Sequence, residues 1–157
     1  MRRLLLPLLA LAALPALSSC EKREVTVTDG WVRLSPNPDA PSAAYFTVKG
    51  GSDATQLSAV ASDVAIRFEM HETTRENGMM QMKPLASVEI PANSSVKFEP
   101  GGKHVMIWNI NPGIKPGQRM DMVFTFANGA QIEYPMAVRG ADGAAPAADE
   151  HAGNHSG

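Results

Sequence analysis

The sequence is most informative in what it lacks. It holds one cysteine among 157 residues, and that one is Cys20. Everything downstream therefore has no thiol for an internal disulfide, for thiolate catalysis or for a cysteine-ligated metal. Charge is nearly balanced, with 14 Lys and Arg against 16 Asp and Glu. The basic residues form no cluster, which argues against a nucleic-acid partner. Beyond residue 20 no apolar run is long enough to cross a bilayer, and no helical period lasts three turns. Methionine is the opposite case. Met70, Met79, Met80, Met82, Met106, Met120, Met122 and Met136 all follow the cysteine.

The two ends differ from the middle. Residues 1–20 read MRRLLLPLLALAALPALSSC. Two arginines, a Leu/Ala run and small residues make a secretory signal, too short and Pro-interrupted for a comfortable span. Its last residues, Leu17-Ser18-Ser19-Cys20, resemble a bacterial lipoprotein signal, whose thiol is lipidated and becomes the new N-terminus. Lipidation explains a lone cysteine that would otherwise be oxidised outside the cell. From Gly140 the chain reads GADGAAPAADEHAGNHSG. It carries no large apolar residue to repay ordering entropy, so 140–157 is expected to be a disordered tail. The division is thus a signal at 1–20, a domain at 21–139 and a tail at 140–157. The chain is long enough for one domain with a real core.

Short alternating runs punctuated by Gly, Pro, Asn and Asp fill the middle. Strands are expected over Glu24–Leu34 (broken at Asp29-Gly30), Ala43–Lys49, Gln56–Ala61, Val64–Glu72 and Met79–Lys83. Others follow at Ser87–Ile90, Ser95–Glu99, Lys103–Ile110, Arg119–Ala127 and Gln131–Val138. Asn77-Gly78 is a strong hairpin signal. The pattern predicts an all-β fold, a sandwich or barrel.

Strand parity places the candidate ligands. Val64, Ile66, Phe68 and Met70 share a core-like face, while Ala65, Arg67, Glu69 and His71 share a solvent-like one. His104, Met106 and Trp108 share one face of a later strand, with Val105 and Ile107 on the other. His104 and Met106 are then about 7 Å apart along the strand and can converge on one ion. Met80 and Met82 share a face after the Asn77-Gly78 turn, which brings Met82 back towards Glu69–His71. A lone histidine is ordinarily structural or solvated, and a methionine is ordinarily core filler; Met70, Met120, Met122 and Met136 are read as core. Two imidazoles and two thioethers together make a soft, neutral set that suits Cu(I) and poorly suits Mg, Ca or Mn. Zinc would be weakly held by such ligands.

The spacing also carries a family resemblance. Ten residues separate His71 from Met82, twenty-one separate Met82 from His104, and one separates His104 from Met106. With VTDGWVR at 27–33, SAAYFTV at 42–48, EMHET at 69–73, NGMMQMKPL at 77–85 and PGGKHVMI at 100–107, residues 25–138 resemble the PCuAC family of periplasmic copper chaperones. The resemblance implies a cupredoxin-like β-barrel and Cu(I) held near the surface by His71, Met82, His104 and Met106. It implies delivery of copper to the copper A centre of cytochrome oxidase subunit II or to assembly proteins. A periplasmic lipoprotein, tethered through Cys20, would be its setting. Some members bind Cu(II) through a His-rich C-terminal extension, which makes His151 and His155 secondary candidates.

Three other readings compete. A blue-copper electron carrier needs a Cys thiolate with two His, and none is available after residue 20. A hydrolase using His71 or His104 needs a positioned nucleophile and an oxyanion hole, and no motif suggests either; no enzyme is expected. A copper-storage or resistance lipoprotein without a dedicated recipient is separated from a chaperone only by a transfer experiment.

Overall fold

The structure is a computed structural model that describes residues 22–144. The stretches 1–21 and 145–157, with Cys20, His151 and His155, lie outside the described residues. Ten strands follow one another: β1 Thr26–Arg33, β2 Ser42–Lys49, β3 Thr55–Ala61, β4 Arg67–Glu76, β5 Met79–Leu85, β6 Val88–Ile90, β7 Ser95–Phe98, β8 Lys103–Trp108, β9 Arg119–Phe126 and β10 Gln131–Arg139. No helix interrupts them among the described residues. They form one sheet in the order β5-β4-β8-β7-β2-β1-β10-β9-β3-β6, with β8 also paired to β2. The pairs β1/β10 and β7/β8 are parallel and the rest antiparallel.

The sheet rolls around one hydrophobic cluster. Val32, Phe46, Leu57, Ile90, Val105, Ile107, Met122, Phe124 and Met136 are essentially without solvent. Phe46 stacks on Phe98 and meets Phe124 edge-on, with ring centroids 4.2 and 4.7 Å away. The alternation along each strand sends one side chain in two to this core. Met70, Met120, Met122 and Met136 are all in it, as parity indicates.

Turn chemistry agrees with the sequence. Asn77 and Gly78 both have positive φ, 51° and 80°, the pairing a two-residue type I′ hairpin requires. Asp29-Gly30 does not break the first strand, however. The chain absorbs the turn signal as a bulge, with Asp29 at φ 57° and a register shift between Thr28 and Trp31. Only glycine fits at position 30, because a Cβ there would sit 2.3 Å from the Met136 sulfur.

Two further boundaries move. β4 begins at Arg67, not Val64, and Ile66 is 82% exposed instead of facing the core. The Val64 carbonyl accepts from Asn111 N–H and the Ile66 N–H donates to Trp108 O, so this stretch is a connection whose side chains follow no pleat. β8 ends at Trp108 because Asn109 turns to φ 55°. Beyond β10, Gly140–Gly143 form a turn that places Gly143 against Trp31.

Candidate metal centre

The register of three neighbouring strands assembles the site. His71 on β4 lies directly opposite His104 on β8, and Glu69 lies opposite Met106. On the other side of β4, Thr73 lies opposite Met82 of β5. Directly paired residues share a face. His71, His104, Met106 and Met82 therefore all stand on the outer face of this part of the sheet, with Met70, Val105 and Ile107 beneath them in the core.

The two imidazoles are nearly parallel, with ring centroids 6.0 Å apart and planes inclined by 19°. Their hydrogen bonds decide which nitrogen is bare. His104 Nδ1 lies 3.0 Å from the Gly102 carbonyl, and His71 Nδ1 lies 3.3 Å from the Glu69 carbonyl. A carbonyl can only accept, so each contact calls for the proton on Nδ1, the tautomer whose neutral ring offers Nε2 to a metal. Such backbone contacts are the usual way a ligating imidazole is oriented. The Glu69 carboxylate comes within 3.7 Å of His71 Nε2, too long for a hydrogen bond, and is itself held by Arg67 Nε at 2.8 Å.

Exposure grades across the site. His104 is buried, the His71 side chain is 12% exposed and Met82 is 52% exposed. A small cavity of about 210 Å³ opens here, lined by His104, Met106, Met82, Thr73, Arg33 and Tyr45, among others. His71 stands beside it, across from His104. The outer face is thus less solvent-like at His104 than strand parity alone indicates: Tyr45 of β2 and Gly101 line the same cavity, and the Gly102 carbonyl meets the ring at Nδ1.

Two wall residues had no role in the sequence reading. Arg33 Nη2 donates to the Tyr45 hydroxyl at 2.8 Å, and Tyr45 is buried against Trp31 at 4.6 Å between centroids. Burial pushes the Tyr45 phenol above its ordinary value, and nearby Arg33 partly opposes that. Both residues lie in the segments that carry the family resemblance. Their outward parity alongside Trp31 was the available signal, but no local pattern says that β2 brings them next to β8.

The donor set limits what could bind. Among the described residues no group of three or more His, Cys, Asp and Glu is placed to hold a metal. Met106 and Met82 are the sulfur donors on the same face as the His71–His104 pair, and such a set would make a soft site. A roomier cleft of about 460 Å³, between the 34–42 and 107–116 segments, contains no histidine, methionine or carboxylate.

The comparisons with known proteins bear on the family and the fold. Residues 25–138 match the family model described as "Putative lipoprotein LpqE-like". The chain belongs to the LpqE-like, PCuAC-type family. This LpqE-like chain is 29% identical over 122 residues to a "Putative lipoprotein" of Leifsonia xyli subsp. xyli, covering 76% of this chain and 72% of that one. It is 28% identical over 109 residues to an uncharacterized protein of Rickettsia prowazekii, covering 64% of this chain and 59% of that protein. Among solved structures, the copper-bound PCuAC domain from PmoF2 superposes with a TM-score of 0.62 at 19% identity, covering 74% and 93% of the two chains. The Cu(I) form of DR1885 from Deinococcus radiodurans gives 0.61 at 23%, covering 78% and 83%. The fold is the cupredoxin-like β fold of these domains.

Proposed function

We propose that this protein is a copper chaperone that carries one Cu(I) on His71, His104, Met82 and Met106. The His71–His104 pair supports the reading most directly. Two rings face each other across neighbouring strands with both Nε2 atoms bare, and two thioethers stand on the same face. The copper-bound relatives with this fold lend it weight. Neutral soft ligands hold a monovalent ion without the thiolates that would trap it. The exposed Met82 gives a partner an edge at which to begin ligand exchange. No bond in a substrate is made or broken, so no catalytic residue is assigned.

The recipient we propose is the copper A centre of cytochrome oxidase or one of its assembly factors, in the periplasm, with the chain tethered through a lipidated Cys20. The lipoprotein names of the family and of the Leifsonia relative favour the tether. Its geometry is workable. Lys22 and Arg23 sit against Ser52 and Asp53 just before β1, while Arg33, at the far end of that strand and about 23 Å from its start, lines the ligand cavity. A lipid near the first end leaves the metal-bearing part of the barrel turned towards partners.

Titration with Cu(I) under reducing conditions, against a chromogenic competitor, tests the ligand set. One equivalent bound by the wild type and lost in Met82→Ala/Met106→Ala is expected; equal retention by both would rule out this site. Transfer of the bound ion to a soluble copper A domain tests the recipient.

A further inference from the structure

A cation site should not need a cation in its wall, yet this one has Arg33. The guanidinium lines the same small cavity as His104, Met106 and Met82, and its direction is set by the bond to the buried Tyr45 hydroxyl. Among the described residues it forms no ion pair. Among the described residues, the carboxylate that comes near a ligand nitrogen, that of Glu69, is already paired with Arg67. Glu72 is paired with Lys103 at 2.6 Å. Arg33 is therefore the uncompensated charge at the ligands, facing donors that are all neutral.

We infer that Arg33 is a specificity residue that makes the site select monovalent over divalent copper. The inference rests on the copper reading above. A fixed positive charge repels a dication with twice the energy it costs a monocation at the same place. The half-buried position of Arg33 limits solvent screening of that difference. Arg33 acts a second way through Tyr45. The phenol lines the cavity and is an oxygen donor of the kind an oxidised ion favours over a reduced one, and the guanidinium takes up its lone pair. Both effects weaken Cu(II) relative to Cu(I) and leave the soft ligand set to hold the reduced ion. A carrier working outside the cytoplasm then keeps its cargo in the form that thioethers release by exchange.

The test compares Cu(I) and Cu(II) affinities of the whole protein by competition, in the wild type, Arg33→Gln and Arg33→Lys. Arg33→Gln keeps a donor for Tyr45 and removes the charge; Arg33→Lys keeps the charge. The Gln variant is expected to raise the Cu(II)-to-Cu(I) affinity ratio about tenfold, lowering the one-electron potential by about 59 mV. The Lys variant is expected to stay near the wild type. An unchanged ratio in Arg33→Gln, or a Lys variant that behaves like Gln, overturns the inference. Should the Gln variant not fold, Arg33→Met/Tyr45→Phe takes its place, removing the charge together with the phenol it binds. A raised ratio is expected there too, and an unchanged one overturns the inference. A wild type that takes up no Cu(I) defeats the copper reading and this inference together. Stoichiometric Cu(I) uptake with one ratio in all three proteins defeats the role of Arg33 alone.

Discussion

The methionines divide into two populations on the two faces of the same sheet. Met70, Met120, Met122 and Met136 face inward and are buried, filling the core between Phe46, Phe124 and Ile107. Met80 and Met82 are 60% and 52% exposed on the outer face of an edge strand, and Met106 is partly covered on that face, while Met79 keeps the inward parity but lies at the hairpin end, 64% exposed. The side chain is identical; its neighbours are not. Inside, the flexible thioether serves as a space-filling apolar group. Outside, beside two imidazoles, the same sulfur is an unengaged soft donor. One residue of strand register separates the two roles.

Substitutions on the two faces should therefore have opposite signatures. The largest effect is expected from Met122→Ala. Emptying a fully buried site should cost about 2–5 kcal/mol in urea unfolding, with Cu(I) stoichiometry kept in whatever remains folded. Met80→Ala, the exposed counterpart, should change stability by no more than about 0.5 kcal/mol. Equal losses at both would erase the distinction.

Gly30→Ala comes next, at about 1–3 kcal/mol, because the new methyl must displace the Met136 sulfur and the Tyr134 ring. Thermal unfolding measures it. A neutral result would mean that the bulge yields easily. Gly78→Ala sharpens the contrast from the other face. Its φ of 80° makes a side chain cost about 1–2 kcal/mol locally. Nothing lies near the new Cβ, so the core is untouched. The β4–β5 hairpin carries Met82, so Cu(I) affinity should fall more than global stability does. An affinity loss no larger than the stability loss would detach the hairpin from the site.

The smallest effect is a pH dependence. Burial raises the Tyr45 phenol above its ordinary value of 10.0, against a lesser pull from Arg33. A group with a raised folded value contributes stability that is intact below pH 10.0 and fades as pH climbs through that folded value. Alkaline melting curves should show this loss, and Tyr45→Phe should flatten it at a modest cost in stability at neutral pH. A Phe variant with the same alkaline slope would assign the loss to another group.

Much of this was legible along the chain. Each of the ten strands overlaps a run that alternation marks, though β4 starts later and β8 ends earlier than that run, and Asn77-Gly78 turns as a two-residue hairpin must. Parity put His104 and Met106 together and separated Met70 from His71, since both relations lie within single strands. Ile66 was misplaced because periodicity continued past the point where the backbone left the pleat for a bond to Trp108. Asp29-Gly30 resembled a turn and proved a bulge, since a turn and a bulge ask for the same positive φ.

By itself, the sequence determined which residues could alternate, which turns could be tight, and that sulfur and imidazole were the only soft donors after Cys20. Those properties are local, set by the pleat period, by glycine and asparagine dihedrals, and by side-chain chemistry. Only the tertiary structure decided that β4 lies between β5 and β8, that His71 faces His104, and that β2 brings Tyr45, and with it Arg33, to the cavity wall. Pairing between strands distant in the chain follows from how ten half-buried ribbons share one core, and no local pattern encodes that choice of neighbours.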